Sequence, residues 1–355
     1  MAVTAMQRPD FRTISDFRKR HLGALGALFG QVLRMCQRAG LVRLGHVALD
    51  GTKVKANASK HKAMSYGRMK HEEALLAAEV SEWFEQAEAA DAEEDGRFGT
   101  DRRGDEMPSW VADKQQRLGK IRQAKAALEA EAREQAAEAR AVQKTDRSSK
   151  GKKGGGSPPP ASSAEPKERA QRNFTDPDSR IMKGPDGFVQ AYNCQAAVDA
   201  QSQIIVAQEV TQATNDKREL VPMVMQIKEN TGHKAQEISA DAGYCSEENL
   251  KELNRRRIDG YVATGRQRHG EASATGAKPS ESGRRVRAMR TKLRRGGWRS
   301  RYRLRKQTVE PVFGQIKQAR GFRQFLLRGL RKVQGEWSLV CIAHNMLKLV
   351  AARTG

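Results

Sequence analysis

The sequence predicts an α/β protein: a sheet of mixed strand direction flanked by helices, with a long helical insertion after the first strand. Three observations carry this expectation. His46-Val-Ala-Leu-Asp50 is a short apolar run that ends in a carboxylate, with Gly51 next to permit a turn or close approach. Residues 187–264 alternate strand-like runs with helical spacing, the pattern of a helix-flanked sheet. Between them, Ala58 to Lys150 is rich in Ala, Glu, Gln, Lys and Arg, with long stretches free of Pro and β-branched residues, and reads as helix.

The N-terminal region, residues 1–40, is expected to be helical. Pro9 and a cap at Ser15 precede Leu22, Leu25, Leu28, Phe29, Val32, Leu33 and Cys36 at helical spacing, and Gly40 ends the run. Residues 41–56 and 187–350 are expected to form one folded domain. Residues 57–147 form the insertion, a helical hairpin or coiled coil held partly by i,i+4 charge pairs, whose acidic stretch Glu79 to Glu94 should keep it off DNA. Residues 148–186, with the run Lys-Lys-Gly-Gly-Gly-Ser-Pro-Pro-Pro, read as a flexible linker. Phe188–Val198 and Ile204–Thr211 form a hairpin, a helix runs from Asn215 to Asn230, and a strand ends at Asp241. Ser246 caps a helix through Arg257, and Gly260–Thr264 is a further strand. Val309–Lys317 and Trp337–Val350 are helical, the latter broadly apolar and suited to packing on the sheet.

The 355 residues carry a formal charge of +23, which points to a polyanionic partner. Aromatics are only 5 %, and neither an apolar run of about 18 residues nor a Trp/Phe-faced basic helix is present, so a membrane is not indicated. The opening residues lack a signal-peptide core, and a cytoplasmic, nucleoid-associated location is expected. Cys36, Cys194, Cys245 and Cys341 have no zinc or redox spacing and read as reduced structural thiols. From Arg284 to Lys306 there is no acid, and Trp298 and Tyr302 lie within this basic run, a composition suited to phosphates and stacked bases as well as to a solvated basic segment.

Three acids stand out: Asp50, Asp241 at the end of Glu237-Ile-Ser-Ala-Asp241, and Glu310 opening Glu310-Pro-Val-Phe-Gly-Gln-Ile-Lys317. Singly, each has an ordinary reading as a turn residue, a loop start or a first-turn helical acid. Together they are a sufficient ligand set for two hard cations that activate water and stabilise a leaving phosphate oxygen. Lys317, seven residues after Glu310, shares its helical face and is placed to hold a phosphate.

The segments Pro9-Asp-Phe-Arg-Thr-Ile-Ser-Asp-Phe-Arg, Val47-Ala-Leu-Asp-Gly-Thr-Lys, Ser239-Ala-Asp-Ala-Gly-Tyr and Val309-Glu-Pro-Val-Phe-Gly-Gln-Ile-Lys together resemble the DDE transposases of bacterial insertion sequences. The resemblance implies a ribonuclease-H-like catalytic domain with Asp50, Asp241 and Glu310 as catalytic metal ligands. It further implies Mg²⁺, with Mn²⁺ able to substitute, double-stranded DNA as element ends and target, and a homo-oligomer on DNA. A signature of related transposases runs Tyr, two residues, Arg, three residues, Glu, six residues, Lys. Counted from Glu310 it meets Lys317, but its Arg position holds Lys306 and its Tyr position Arg303; Tyr302 and Arg305 each stand one residue off. These four and Trp298 are phosphate-contact candidates. Related chains have more helical sequence before the Pro-Asp-Phe-Arg motif. A truncated, catalytically inactive DNA-binding protein is therefore the alternative, and a helical interaction protein organised by the insertion is a third.

Overall fold

The structure, a computed structural model, describes residues 10–98, 109–150, 164–184, 187–267, 273–276 and 283–354. The chain divides into two compact units, residues 1–57 with 178–355, and residues 58–177. Along the chain, β1 (His46–Lys55) belongs to the first unit, and β2 (Ala63–Ser65) and β3 (Gln171–Asn173) to the second. The first unit then resumes with β4 (Arg180–Gly184), β5 (Gly187–Asp199), β6 (Ile205–Thr211), β7 (Glu237–Ala240) and β8 (Asp259–Val262).

In the first unit β1 is central. It runs antiparallel to β5 and parallel to β7, and β7 is parallel to β8. β6 pairs with the later part of β5, and β4 with its start. This is the mixed sheet the sequence predicts, and its order is consistent with a ribonuclease-H-like domain. Val47, Ala48 and Leu49 of β1 and Ala196, Ala197 and Val198 of β5 are fully buried, because helices cover the sheet and successive side chains leave it in opposite directions. Ala191 of β5 registers with Lys55 of β1 and with Arg180 of β4.

The N-terminal helix is two helices, α1 (Phe11–Arg20) and α2 (Leu22–Arg38), broken at His21, whose backbone leaves the helical region. Asp10 caps the first, not Ser15, by accepting from the Arg12 N–H. Leu25, Phe29, Val32, Leu33 and Cys36 bury one side of α2, which packs on the C-terminal α-helix over Leu330–Thr354. The helix after β6 starts later than expected, at Leu220 rather than Asn215. Pro222 then falls in its first turn, where its missing N–H breaks no bond.

Within the second unit, α3 (Tyr66–Phe98) and α4 (Ser109–Lys150) share a core of Tyr66, Met69, Leu76, Leu118, Ile121 and Leu128, beside the two-stranded β2–β3 ribbon. Charge pairs join the helices to each other as well as running along them: Glu73 meets Arg122 at 3.1 Å and Lys125 at 2.5 Å. The expected linker over 148–186 has residues 151–163 outside the described residues. Its later part is ordered, since β3 and β4 lie within it.

The remaining helices are α5 (Leu220–Thr231), α6 (Glu247–Arg255), α7 (Arg284–Gly296), α8 (Leu304–Gly314) and α9 (Leu330–Thr354). Ser246 caps α6 as anticipated, accepting from the Asn249 N–H. Glu310 does not open a helix: α8 begins six residues earlier, so Pro311 lies inside it. A proline there leaves the carbonyl four residues back without its helical donor, and the Gln203 side chain supplies one, donating to the Gln307 carbonyl at 3.1 Å. A π turn over Gln315–Ala319 follows.

Candidate active site

Asp50 sits within β1, not at its end, and Asp241 stands one residue past β7, the parallel neighbour of β1. This pairing brings the two acids together from distant parts of the chain. Asp241 also caps the short 3-10 turn Ala242–Tyr244, its Oδ1 accepting from the Gly243 N–H at 2.8 Å. Glu310 is contributed by α8, which packs on β1 and β5.

One guanidinium joins the acids of β1 and α8. Arg305 donates to Asp50 Oδ2 at 2.6 Å and to Glu310 Oε1 at 2.9 Å. The Arg305 and Asp50 side chains are only 12 % and 15 % exposed, whereas Glu310 is 46 % exposed. Burial pushes the Asp50 carboxyl up to about 7; Arg305 pulls it down, while Asp241 and Asp216 raise it further. Burial also raises Asp241, against the pull of Arg305. Burial opposes the charge on Arg305 more than any one neighbour supports it, but Asp50, Tyr302 and Glu310 together outweigh it and the guanidinium stays protonated. Asp50 therefore titrates near neutrality, in a site where acids outnumber the bases that reach them.

A fourth carboxylate, Asp216, was not singled out from the sequence. Its Oδ1 accepts from Asn193 Nδ2 at 2.6 Å and Gln195 Nε2 at 2.7 Å, and Lys53 Nζ stands 3.7 Å away. Asp216 packs directly over Gly51, where a Cβ would meet the Gln195 amide and come within 2.8 Å of Asp216 Oδ1. Gly51 is thus a close-approach glycine. Gln195 in turn accepts from the Tyr244 hydroxyl, so the Asp-Gly-Thr-Lys and Asp-Ala-Gly-Tyr segments share one buried polar network. Polar residues on the otherwise buried β5 were the available signal.

Tyr302 and Arg305, one residue off the counted signature, are the pair that faces the acids. Tyr302 is buried beside Ala263, Ala274 and Leu293, and the Arg305 guanidinium lies 6.0 Å from its ring centre. Arg303 and Lys306, on which the count falls, are exposed. With the 66 % exposed Trp298 they line a small pocket of about 110 Å³. Lys317 differs from expectation: its Nζ donates to the Lys53 carbonyl at 2.9 Å, so it braces the π turn against β1, and burial lowers its pKa.

The donors fit a hard cation. All are carboxylates, and Mg²⁺ needs only one or two from a protein, taking its other ligands from water and substrate oxygens. Yet the three acids do not form a closed cage: among the described residues no group of three or more Asp, Glu, His or Cys is gathered as a ready-made metal site. Arg305 spans Asp50 and Glu310 instead.

A mixed sheet with one acid on β1 and another just past its parallel neighbour β7, backed by a helix that carries a third, is consistent with a ribonuclease-H-like domain. The family profile described as Transposase DDE domain matches residues 164–346, and the chain belongs to that family. Membership implies DNA binding and an enzyme of the nuclease or transferase kind, in a family that typically uses divalent metals. No significant match was found among curated proteins or among solved structures. No described helix is long and apolar enough to cross a membrane.

Proposed function

We propose that the chain is a DNA transposase that cleaves insertion-sequence ends and joins them to target DNA, with Asp50, Asp241 and Glu310 as the catalytic carboxylates. The observation that carries this reading is the convergence of β1, β7 and α8 on one site, where Arg305 counters only part of the carboxylate charge. Mg²⁺, or Mn²⁺ in its place, would be held by Asp50 and Asp241, with Glu310 added once it leaves Arg305. Bound there, such ions supply Lewis-acid activation of a hydroxyl and stabilisation of the leaving oxygen.

The chain's own groups do the rest. Arg305 holds Asp50 and Glu310 in place while no ion is bound, and its anchorage on Tyr302 limits how far it can move. Lys317 keeps the helix end against β1. Arg303, Lys306 and Trp298 are exposed for phosphate and base contact. Joining two element ends calls for a homo-oligomer on DNA.

The test is strand cleavage of a supercoiled plasmid carrying the reading frame with its native flanking DNA, in Mg²⁺ and in Mn²⁺. Asp50→Asn should abolish nicking while duplex binding persists. Nicking by that variant at the wild-type rate removes Asp50 from the chemistry. A wild type that binds duplex but never nicks favours the second reading, a DNA-binding protein without catalysis, which the Arg305 bridge in place of a metal cage also fits.

A further inference from the structure

The second unit contains a cavity of about 450 Å³ that the transposase reading does not use. Its rim is cationic: Lys62, Arg68, Arg117 and Lys120 face a single lining acid, Asp113. Its floor is apolar, made by Met64, the buried Ile121 and Phe174. The local sequence explains this arrangement. Lys62 ends a 3-10 turn that leads straight into β2, Arg68 lies in the first turn of α3, and Phe174 follows β3, so the ribbon and helix start converge. Arg117 and Lys120 are three residues apart on α4 and share a face.

Glu72 holds two of the cations in position, pairing with Arg117 at 3.0 Å and Arg68 at 3.7 Å, so one carboxylate serves two guanidinium groups. Among the described residues Lys120 donates to the neutral amide of Gln116, and neither it nor Lys62 has an ion-pair partner. The positive charge is left in surplus and partly exposed, Arg117 at 57 % and Arg68 at 65 %.

A cationic rim above an apolar, aromatic floor suits a ligand with an anionic edge and a flat apolar face. The volume falls within the roughly 300–1,000 Å³ of small-ligand sites. A nucleotide unit has both features: its phosphate meets Lys and Arg, and its base stacks on a ring. A base within a duplex has no free face to offer, whereas an unpaired one does. We propose that this cavity binds a nucleotide of single-stranded DNA, phosphate on Arg117 and Lys120, base over Phe174. The insertion is then a second DNA-contacting unit, against the expectation from its acidic stretch, which lies further along α3. The proposal rests on the transposase reading, in which a cleaved strand end is free to leave its duplex partner.

The test uses the full chain and labelled oligothymidylate, with a duplex of equal length alongside. Binding by anisotropy is measured across salt for wild type, Arg117→Ala/Lys120→Ala and Lys120→Glu, each checked for wild-type thermal unfolding. The double variant should bind oligothymidylate about tenfold more weakly, with a salt slope smaller by about 1.4, the value for two single-strand phosphate contacts. Duplex affinity and plasmid nicking should not change. Photocrosslinking with a 5-iodouracil-substituted oligonucleotide should label the peptide containing Phe174. Unchanged oligothymidylate affinity in both variants, or crosslinks only outside residues 58–177, overturns the proposal. If wild type nicks plasmid, that result leaves the transposase reading intact; if wild type neither nicks nor binds duplex, the transposase reading fails even where the variants lose single-strand binding.

Discussion

Removing the Arg305 guanidinium should tighten Mg²⁺ binding. Arg305 donates to Asp50 at 2.6 Å and to Glu310 at 2.9 Å, so an ion that takes Asp50 must first displace it. A hydrogen bond between charged groups is worth roughly 1.5–3 kcal/mol, and each ~1.4 kcal/mol is a factor of ten. Arg305→Gln should therefore bind Mg²⁺ roughly 10- to 100-fold more tightly, since loss of a nearby positive charge acts in the same direction. A proton competes in the opposite sense: Asp50 already stands at about 7 and rises further without its partner. The titration is thus best made by calorimetry near pH 8.5, comparing wild type, Arg305→Gln and Arg305→Gln/Asp50→Asn. The gain should disappear in the double variant. Affinity unchanged or weakened in Arg305→Gln would show that the guanidinium does not compete for the site, and the reasoning would fail.

Gly51→Ala places a Cβ against the Gln195 amide and 2.8 Å from Asp216, so it should cost about 1–3 kcal/mol in urea unfolding and abolish plasmid nicking. Wild-type stability would mean the Asp216 network yields freely. His344 is fully buried, its Nε2 at 2.8 Å from the Gln203 carbonyl and its Nδ1 at 3.3 Å from Arg320. Arg320 can only donate, so the ring is neutral with its proton on Nε2, and burial lowers its pKa from 6.5 to about 4. The stability it contributes is whole above pH 6.5 and is lost as pH falls towards 4, in total about 3 kcal/mol. His344→Gln does not titrate, and its amide N–H can still donate to the Gln203 carbonyl. Urea unfolding at pH 7, 5.5 and 4 should show the wild type losing that amount relative to the variant, and a pH-independent difference would contradict the assignment.

Much of the fold was legible because burial imposes a period. The β5–β6 hairpin, the strand before Asp241 and the Ser246 cap were each readable from local residues. Helix starts were less so. Neither Pro311 inside α8 nor Pro222 in α5 marks a start by itself: one depends on Gln203 from the β5–β6 turn, the other on the chain's path around Asp216. In the site, the three acids could be singled out from their segments, but Asp216 has no such segment: it lies in the loop after β6, and its only signal is the polar pair Asn193 and Gln195 on β5. Counting spacings falls on Lys306, one residue from Arg305, and leaves both as candidates. The choice depends on how Tyr302 seats in the core, which no spacing rule encodes.

Lys55 and Arg180 register with the same residue, Ala191, from opposite sides of one strand, so the polypeptide departs and comes back across two strand spacings, roughly 10 Å. The 120 residues of the second unit are inserted in the sequence between these two strands, β1 and β4. None of its described residues supplies a rung of the ladder that carries Asp50.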